Sequence, residues 1–342
     1  MNAITDVAGV RVGHCTIVAG DDVRTGVTVV MPALGRIDRD ACFAGCHRLN
    51  GNGEMTGLEW VRESGMLTTP VALTNTHSVG VVRDALVALE VEARDRAELS
   101  WSLPVVAETW DGVLNDINGM HVRPEHVREA FAAAAGGPVA EGAVGSGTGM
   151  ICHGFKGGIG TASRVVAEGA GGHVVGVLVQ ANHGRRERLA VNGAPIGLAI
   201  GPAEVPTPYS HAEGSGSIIV IVATDAPLLP HQCDRLAQRA ALGIARTGGL
   251  GEHTSGDLVL AFATGNAVPA SDLPGVSLVQ PLAMLSDRVI DAHFAATVEA
   301  TEEAIVNALV AAETTTGRGA TAHTLPHDRL LEVLDRHALR VL

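Results

Sequence analysis

Two uninterrupted apolar runs limit the folds that this chain can adopt. "VVGVLVQAN" (174–182) and "IIVIVATD" (218–225) are short, rich in Val and Ile, and bounded by polar or glycine-rich segments. Runs of this kind are typical of strands that are buried on both faces of a sheet. A strand covered on both faces needs a packed layer on each side. The two runs therefore predict stacked central sheets with helices outside them.

The remaining segments supply the other parts of such an architecture. The first 35 residues alternate Val, Ile and Thr with turn residues, which predicts strands in a hairpin-like arrangement. Apolar spacing predicts three helices, at 77–95, 231–249 and 287–313. It also predicts a further strand at 255–266. No repeat or charged linker divides the chain, which favours a single domain over residues 1–342.

Composition excludes several classes of function. The formal charge of −13 repels phosphate backbones, so we expect no nucleic-acid partner. No apolar run reaches the roughly 18 residues that a membrane span needs, and we expect no membrane partner. The start "MNAITDVAGVRVGH" lacks the pattern of a secretory signal, which favours a cytoplasmic location.

The cysteines favour neither disulfides nor a metal site. They number five, an odd count, and are scattered through a chain long enough to fold without cross-links, so we expect free thiols. Cys42, Cys46 and His47 are close in sequence, but a second ligand pair at zinc-like spacing is absent. The spacing instead favours two buried cysteines on one helical turn, and no metal is predicted.

A Gly-Ser step stands at the start of the second apolar run. Gly216-Ser217 ends a segment rich in Pro, Gly and Ser that predicts a mobile, exposed loop. If the bond between them were broken, Ser217 would carry its own base, because a free α-amine has a pKa of about 7.7–8.0. The hydroxyl could make the break itself by attacking the Gly216 carbonyl, and a residue without a Cβ accepts the strained geometry.

Motifs along the whole chain carry a family resemblance. They are "LNDING" (114–119), "GSGTGMICHGFKGGIGTASR" (145–164), "VLVQANHG" (177–184), "GSIIVIVATDAPLLPHQ" (216–232) and "TSGDLVLAFATGN" (254–266). In this order they resemble the L-aminopeptidase D-Ala-esterase/amidase (DmpA) family, which includes β-peptidyl aminopeptidases and nylon-oligomer hydrolases. The resemblance implies an α+β fold, a four-layer αββα sandwich of the N-terminal-nucleophile hydrolase type. It also implies self-cleavage into an α chain, 1–216, and a β chain, 217–342, and a homo-oligomer that is a tetramer of α/β pairs.

The same resemblance assigns roles residue by residue. Ser217 matches the nucleophile, and Ser255 and Asp257 match the pair that the family places beside it, although some relatives have Glu where Asp257 stands. Asn182 matches the asparagine that binds the oxyanion, a task suited to a fixed, uncharged donor. Lys156 resembles a lysine near the nucleophile in some relatives. No metal or organic cofactor is implied.

An aminopeptidase must also recognise a cationic amino terminus, which favours a carboxylate near the nucleophile. Glu108 in "VVAETWDG" is the candidate, with Asp111 and Asp116 behind it, and Trp110 is a candidate wall of the substrate pocket. The predicted substrate is a small peptide, amide or ester whose amino-terminal residue is removed. The residues leave open whether that residue is an L-, D- or β-amino acid or part of a nylon-type oligomer.

Three other functions can be compared with this one. Nucleotide binding by the glycine-rich segment is disfavoured, because Lys156 is followed by Gly157 and not by the Ser or Thr of a P-loop. An acyltransferase of the ornithine acetyltransferase type is similar in fold, but its nucleophile is typically Thr. An unprocessed, non-catalytic binding protein is the third alternative, since the sequence does not show that the cut occurs.

Overall fold

The computed structural model describes residues 1–32, 40–94, 101–209, 216–269 and 277–337. Two sheets lie face to face at its centre. The smaller sheet has the strand order β1-β2-β5-β6, formed by β1 (Arg11–Ala19), β2 (Val23–Met31), β5 (Val71–Asn75) and β6 (Val105–Thr109). The larger sheet has the order β4-β3-β12-β11-β10-β9, formed by β3 (Asp40–Gly51), β4 (Met66–Leu67), β9 (Gly158–Val165), β10 (Val174–Asn182), β11 (Ser217–Thr224) and β12 (Gly256–Pro269).

Helices cover the outer face of each sheet. Helices α2 (Val79–Ala93) and α3 (Pro124–Ala132) pack on the smaller sheet, and α5 (Pro230–Arg246) and α6 (Ile290–Val310) pack on the larger one. The shorter elements are α1 (Leu58–Ser64), α4 (Ile196–Ala199), α7 (His327–Arg336) and two ribbons, β7 (Ile151–Cys152) with β8 (Phe155–Lys156) and β13 (Thr315–Gly317) with β14 (Ala320–Ala322). The layers confirm the expected αββα sandwich.

The apolar residues of β11 alternate between two cores. Ile219 and Ile221 point between the sheets, where they pack with residues such as Leu73 of β5. Val220 and Val222 point the other way, towards α5 and α6. All four side chains are fully buried, so the prediction of a strand covered on both faces is confirmed.

Strand pairing brings the ends of three strands together. β10 runs antiparallel to β11, whereas β12 runs parallel to it after the crossover through α5. The carboxyl end of β10 therefore lies beside the amino ends of β11 and β12. Residues from three separate motifs meet at this edge.

The cysteine prediction was wrong in one respect. Cys42 and Cys46 lie on β3 and not on a helical turn, because "ACFAGCH" pairs with β12 along most of its length. On a strand, residues four apart share one face, and both cysteines face the core between the sheets, whereas His47 points to the opposite face. All five cysteines carry free thiols, as expected. Within the described ranges, no helix combines the length and apolar character needed to cross a bilayer.

We predict that Gly160→Ala lowers the free energy of unfolding by about 1–3 kcal/mol, the usual cost of overpacking. A Cβ there would lie 1.9 Å from the Ala304 carbonyl oxygen, since β9 packs directly against α6. Gly80→Ala is the control, because that position on α2 has no neighbour within 4 Å and alanine favours a helix. Denaturant unfolding checks both; equal stability of the two variants would contradict the close packing.

Candidate active site

The candidate nucleophile lies where β10, β11 and β12 meet. Ser217 is the first residue of β11 and pairs with Asn182, the last residue of β10. On the other side of β11, Ile218 pairs with Asp257 of β12. The structure thus brings together Asn182, Ser217 and Asp257, which are at least 35 positions apart in sequence and lie on three different motifs.

The Ser217 hydroxyl is held in a fixed position. Its Oγ accepts a hydrogen bond from the Gly256 N–H at 3.0 Å, and the side chain is buried. The residue before it has no room for a side chain, because a Cβ on Gly216 would lie 1.8 Å from the Asn182 carbonyl oxygen. Glycine is therefore required at this junction for packing.

Ser255 and Asp257 form a hydrogen-bonded pair beside the nucleophile. The Ser255 hydroxyl donates to Asp257 Oδ1 at 2.5 Å, and the same oxygen accepts from the backbone N–H of Ile218 at 3.2 Å. Burial raises the pKa of Asp257 to about 6, and these two hydrogen bonds only partly oppose that effect. The carboxylate is thus directed at the backbone that follows Ser217.

The Asn182 carboxamide is oriented at both ends. Its Oδ1 accepts from the Ile151 N–H at 2.8 Å, and its Nδ2 donates to the Trp110 carbonyl at 3.0 Å. An amide nitrogen carries two hydrogens, so one remains to donate to a charge that develops near Ser217. This geometry suits an oxyanion donor.

Lys156 lies within the site region but contacts the backbone instead of the nucleophile. Its ammonium group donates to the carbonyls of Gly147, Met150 and Gly157 at 3.1, 2.9 and 2.7 Å. Complete burial lowers its pKa to about 7. The side chain fixes the turn before Ile151, whose N–H holds Asn182, so the geometry favours a positioning role.

Glu108 lies at the end of β6, close to the nucleophile. It is 3% exposed, and it accepts hydrogen bonds from the Glu54 N–H at 2.9 Å and from the Thr76 hydroxyl. A Cβ on Gly53 would lie 3.2 Å from Glu108 Oε1 and 2.9 Å from Gly256 Cα. Gly53 therefore lies between this acid and Gly256, whose N–H binds the Ser217 hydroxyl. Burial raises the pKa of Glu108, so a cationic group brought next to it would favour its charged form.

The other acids and the tryptophan have different positions. The Asp111 carboxylate accepts hydrogen bonds from the side chains of Thr25 and Asn115, and the Asp116 carboxylate lies beside the His121 ring. Both acids therefore have partners other than Glu108. Trp110 contributes its carbonyl to Asn182, while its side chain is 44% exposed.

Sequence reasoning missed three contributors to the site. Thr76 and the Glu54 N–H bind Glu108, and the Gly256 N–H binds Ser217. Of these, only Gly256 lay in one of the motifs identified in the sequence, because a backbone donor leaves no signal in residue type.

A cavity of about 390 Å³ adjoins Gly53, with Arg48, Met55, Trp60 and Leu258 among its lining residues.

Comparisons with known proteins identify the family of this chain. The profile of Peptidase family S58 matches residues 2–322. The "Beta-peptidyl aminopeptidase BapA" of Sphingosinicella microcystinivorans is 48% identical over 355 residues, covering 98% of this chain and 88% of the relative. The protein of the same name from Sphingosinicella xenopeptidilytica is 44% identical, covering 98% of this chain and 87% of its own length.

Two solved structures share the fold over nearly the whole chain. A Burkholderia sp. β-aminopeptidase superposes with a TM-score of 0.93 at 57% identity, covering 99% of this chain and 95% of the other. The L-aminopeptidase D-Ala-esterase/amidase from Ochrobactrum anthropi, described as a variant of the Ntn hydrolase fold, gives 0.92 at 43% identity with the same coverage.

The fold and the comparisons define a hydrolase of the N-terminal-nucleophile type, and they confirm the expected aminopeptidase or amidase class. The chain belongs to Peptidase family S58, the family of the L-aminopeptidase D-Ala-esterase/amidase that the motifs resemble. The acyltransferase and binding-protein alternatives are not favoured.

We predict that Asp257→Asn changes how stability depends on pH. Because burial raises the pKa of Asp257 from 3.8 to about 6, the folded protein binds more protons than the unfolded chain between these values. The stability that Asp257 contributes is present below pH 4 and lost as pH rises through 6. The variant should therefore gain stability relative to the native protein between pH 4 and 7. Denaturant unfolding at several pH values measures this, and a constant difference would contradict it.

Proposed function

We propose that the protein is a self-processing serine aminopeptidase with Ser217 as its N-terminal nucleophile. It cuts the bond between Gly216 and Ser217, giving an α chain of residues 1–216 and a β chain of residues 217–342. It then removes amino-terminal residues from small peptides, amides or esters. The observation that supports this most strongly is the junction itself, where a buried hydroxyl at the start of a core strand follows a glycine that has no room for a side chain.

Self-cleavage uses the groups already in place. Ser217 Oγ attacks the Gly216 carbonyl carbon, the C–N bond breaks, and the peptide becomes an ester with a free Ser217 amine. Water then hydrolyses the ester to leave a carboxylate on Gly216. The Gly256 N–H fixes Oγ at 3.0 Å, which limits the loss of freedom on reaching the transition state.

Catalysis on substrate follows the same geometry. The new amine of Ser217 takes the proton from Oγ, which attacks the substrate carbonyl. The C–N or C–O bond of the substrate then breaks, and the leaving amine or alcohol takes that proton and departs, so that an acyl-enzyme remains. Asn182 Nδ2 donates its remaining hydrogen to the oxyanion. Asp257, which accepts hydrogen bonds from the Ile218 N–H and the Ser255 hydroxyl, orients the amine. Water then hydrolyses the acyl-enzyme and releases the acyl group.

Glu108 is proposed to bind the ammonium group of the substrate. Its carboxyl is buried, and a Cβ on Gly53 would lie close both to Glu108 Oε1 and to the Cα of Gly256, the residue whose N–H binds Ser217. Lys156 acts indirectly by holding the turn that carries Ile151, and Trp110 acts through its carbonyl.

The relatives support β-amino acids as the amino-terminal residues that are removed. The two relatives named β-peptidyl aminopeptidase and the Burkholderia β-aminopeptidase are 44–57% identical to this chain. A cytoplasmic location and a tetramer of α/β pairs remain predictions.

The intact mass under denaturing conditions tests the nucleophile. We expect two fragments that join at Gly216 and Ser217 in the native protein and a single full-length chain in Ser217→Ala, because alanine has no attacking oxygen. Ser217→Cys is the matched control, since a thiol can also attack and should restore the two fragments. An uncut native protein, or a cut Ser217→Ala variant, would refute the proposal.

Glu108→Gln tests recognition of the amino terminus. Glutamine keeps an oxygen for the Glu54 N–H and removes the charge, so kcat/KM on a free amino-terminal substrate should fall by about 10- to 100-fold, as expected for a charge-assisted hydrogen bond. Self-cleavage should be unchanged.

The control is Glu54→Gln, which removes a nearby exposed carboxylate that acts on Glu108 through charge alone and keeps the backbone N–H that binds Glu108. A comparable loss in both variants would show that Glu108 does not bind the substrate ammonium.

A further inference from the structure

Three buried side chains behind the active site take no part in the proposed reaction. Cys152, His153 and His183 place the sulfur and one ring nitrogen from each histidine within 4.8 Å of one another. Cys152 Sγ lies 3.8 Å from His183 Nδ1, and the two imidazole rings meet edge to face with centroids 5.1 Å apart. None of the three is more than 3% exposed.

The β7–β8 hairpin delivers two of these residues at some conformational cost. His153 and Gly154 form its turn with φ values of +49° and +71°, a left-handed pair for which Asn-Gly is the usual choice. The His153 N–H donates to the His183 carbonyl at 2.7 Å, which holds the turn against the end of β10. Turn preference alone therefore does not account for a histidine here.

One ring nitrogen of His153 is left without a partner in a way that points to a ligand. His153 Nδ1 is 3.0 Å from the Arg185 carbonyl and donates to it, so the lone pair is on Nε2. That Nε2 atom is buried and has no hydrogen-bond partner, while His183 directs its Nδ1 towards Cys152. A backbone carbonyl that orients one nitrogen while the other is left available is the usual arrangement for a metal-binding histidine.

We propose that Cys152, His153 and His183 bind one thiophilic monovalent metal ion, Cu(I), through Sγ and one nitrogen of each ring. Metal bonds of about 2.0 Å to nitrogen and 2.3 Å to sulfur place ligand atoms about 3.5 Å apart. The Cys152 Sγ and His183 Nδ1 atoms, 3.8 Å apart, are already near that separation, and the His153 nitrogen lies within 4.8 Å of both. Two imidazoles and a thiolate are a ligand set that copper accepts.

Charge selects a monovalent ion over a divalent one. Lys156 acts electrostatically on Cys152, and the Arg186 guanidinium donates to the His153 carbonyl at 3.0 Å. Glu187 and Glu252 act on His153 with the opposite sign, and Tyr209 faces Cys152 as a neutral phenol. Since these surrounding charges oppose one another, Cu(I) with one thiolate adds no net charge to this buried site, whereas Zn²⁺ with one thiolate would add one uncompensated positive charge.

Binding exchanges a proton for the metal. The Cys152 thiol loses its proton to solvent, the Cu–S bond forms, and both imidazoles bind as neutral ligands, so no electron is transferred. One proton per Cu(I) should therefore be released on binding.

Anaerobic titration with a Cu(I)–acetonitrile complex, in competition with bicinchoninate, tests the site. We expect one equivalent to bind to the native protein and also to Ser217→Ala, which keeps the result independent of self-cleavage. Cys152→Ser, His153→Asn and His183→Phe should each weaken binding by 100-fold or more. Cys46→Ser is the control, because Cys46 is the least buried of the five thiols and the one most open to adventitious binding.

X-ray absorption on the loaded native protein keeps the test independent of how the variants fold. One sulfur and two nitrogen neighbours around copper would support the site. Sulfur ligation alone, or loss of binding in Cys46→Ser with retention in Cys152→Ser, would overturn it. Displacement of Cu(I) by equimolar Zn²⁺ would overturn the assignment of a monovalent ion.

Discussion

The pairing of β11 with β10 on one side and β12 on the other is the constraint on which the site depends. Every residue of β11 is buried, and its side chains alternate between two apolar cores. A slip of one residue would exchange these faces, so the register is strongly fixed. Since Ser217 pairs with Asn182 and Ile218 with Asp257, the core that stabilises the fold also sets the positions of the proposed nucleophile, the proposed oxyanion donor and the acid beside them.

Burial at this junction also suppresses charge. Desolvation raises the pKa values of Asp257 and Glu108 and lowers that of Lys156 to about 7, so the buried groups around Ser217 are all shifted towards their neutral forms. A cationic group brought beside Glu108 would favour the charged form of its carboxyl, because burial deprives that carboxyl of solvent.

The sequence predicted the layers well and the contacts of the site only in part. Continuous Val- and Ile-rich runs identify β10 and β11, because a strand that is buried on both faces needs apolar residues at successive positions. Cys42 and Cys46 were misplaced on a helix, since a spacing of four fits one helical turn and one face of a strand equally well. The Glu108 contact with Thr76, and its approach to Gly53, join residues distant in sequence, and no local pattern encodes them.

The position of Gly216 links processing to the oxyanion site. The Asn182 carbonyl oxygen occupies the space that a Cβ on residue 216 would need, and the carboxamide of Asn182 is held by Ile151 and Trp110. The residue before the proposed cut and the proposed oxyanion donor are therefore in direct backbone contact. Any side chain at 216 would have to displace the end of β10, and with it the donor that both proposed reactions use. Glycine at this junction is thus required by the same close contact that holds Asn182 beside Ser217.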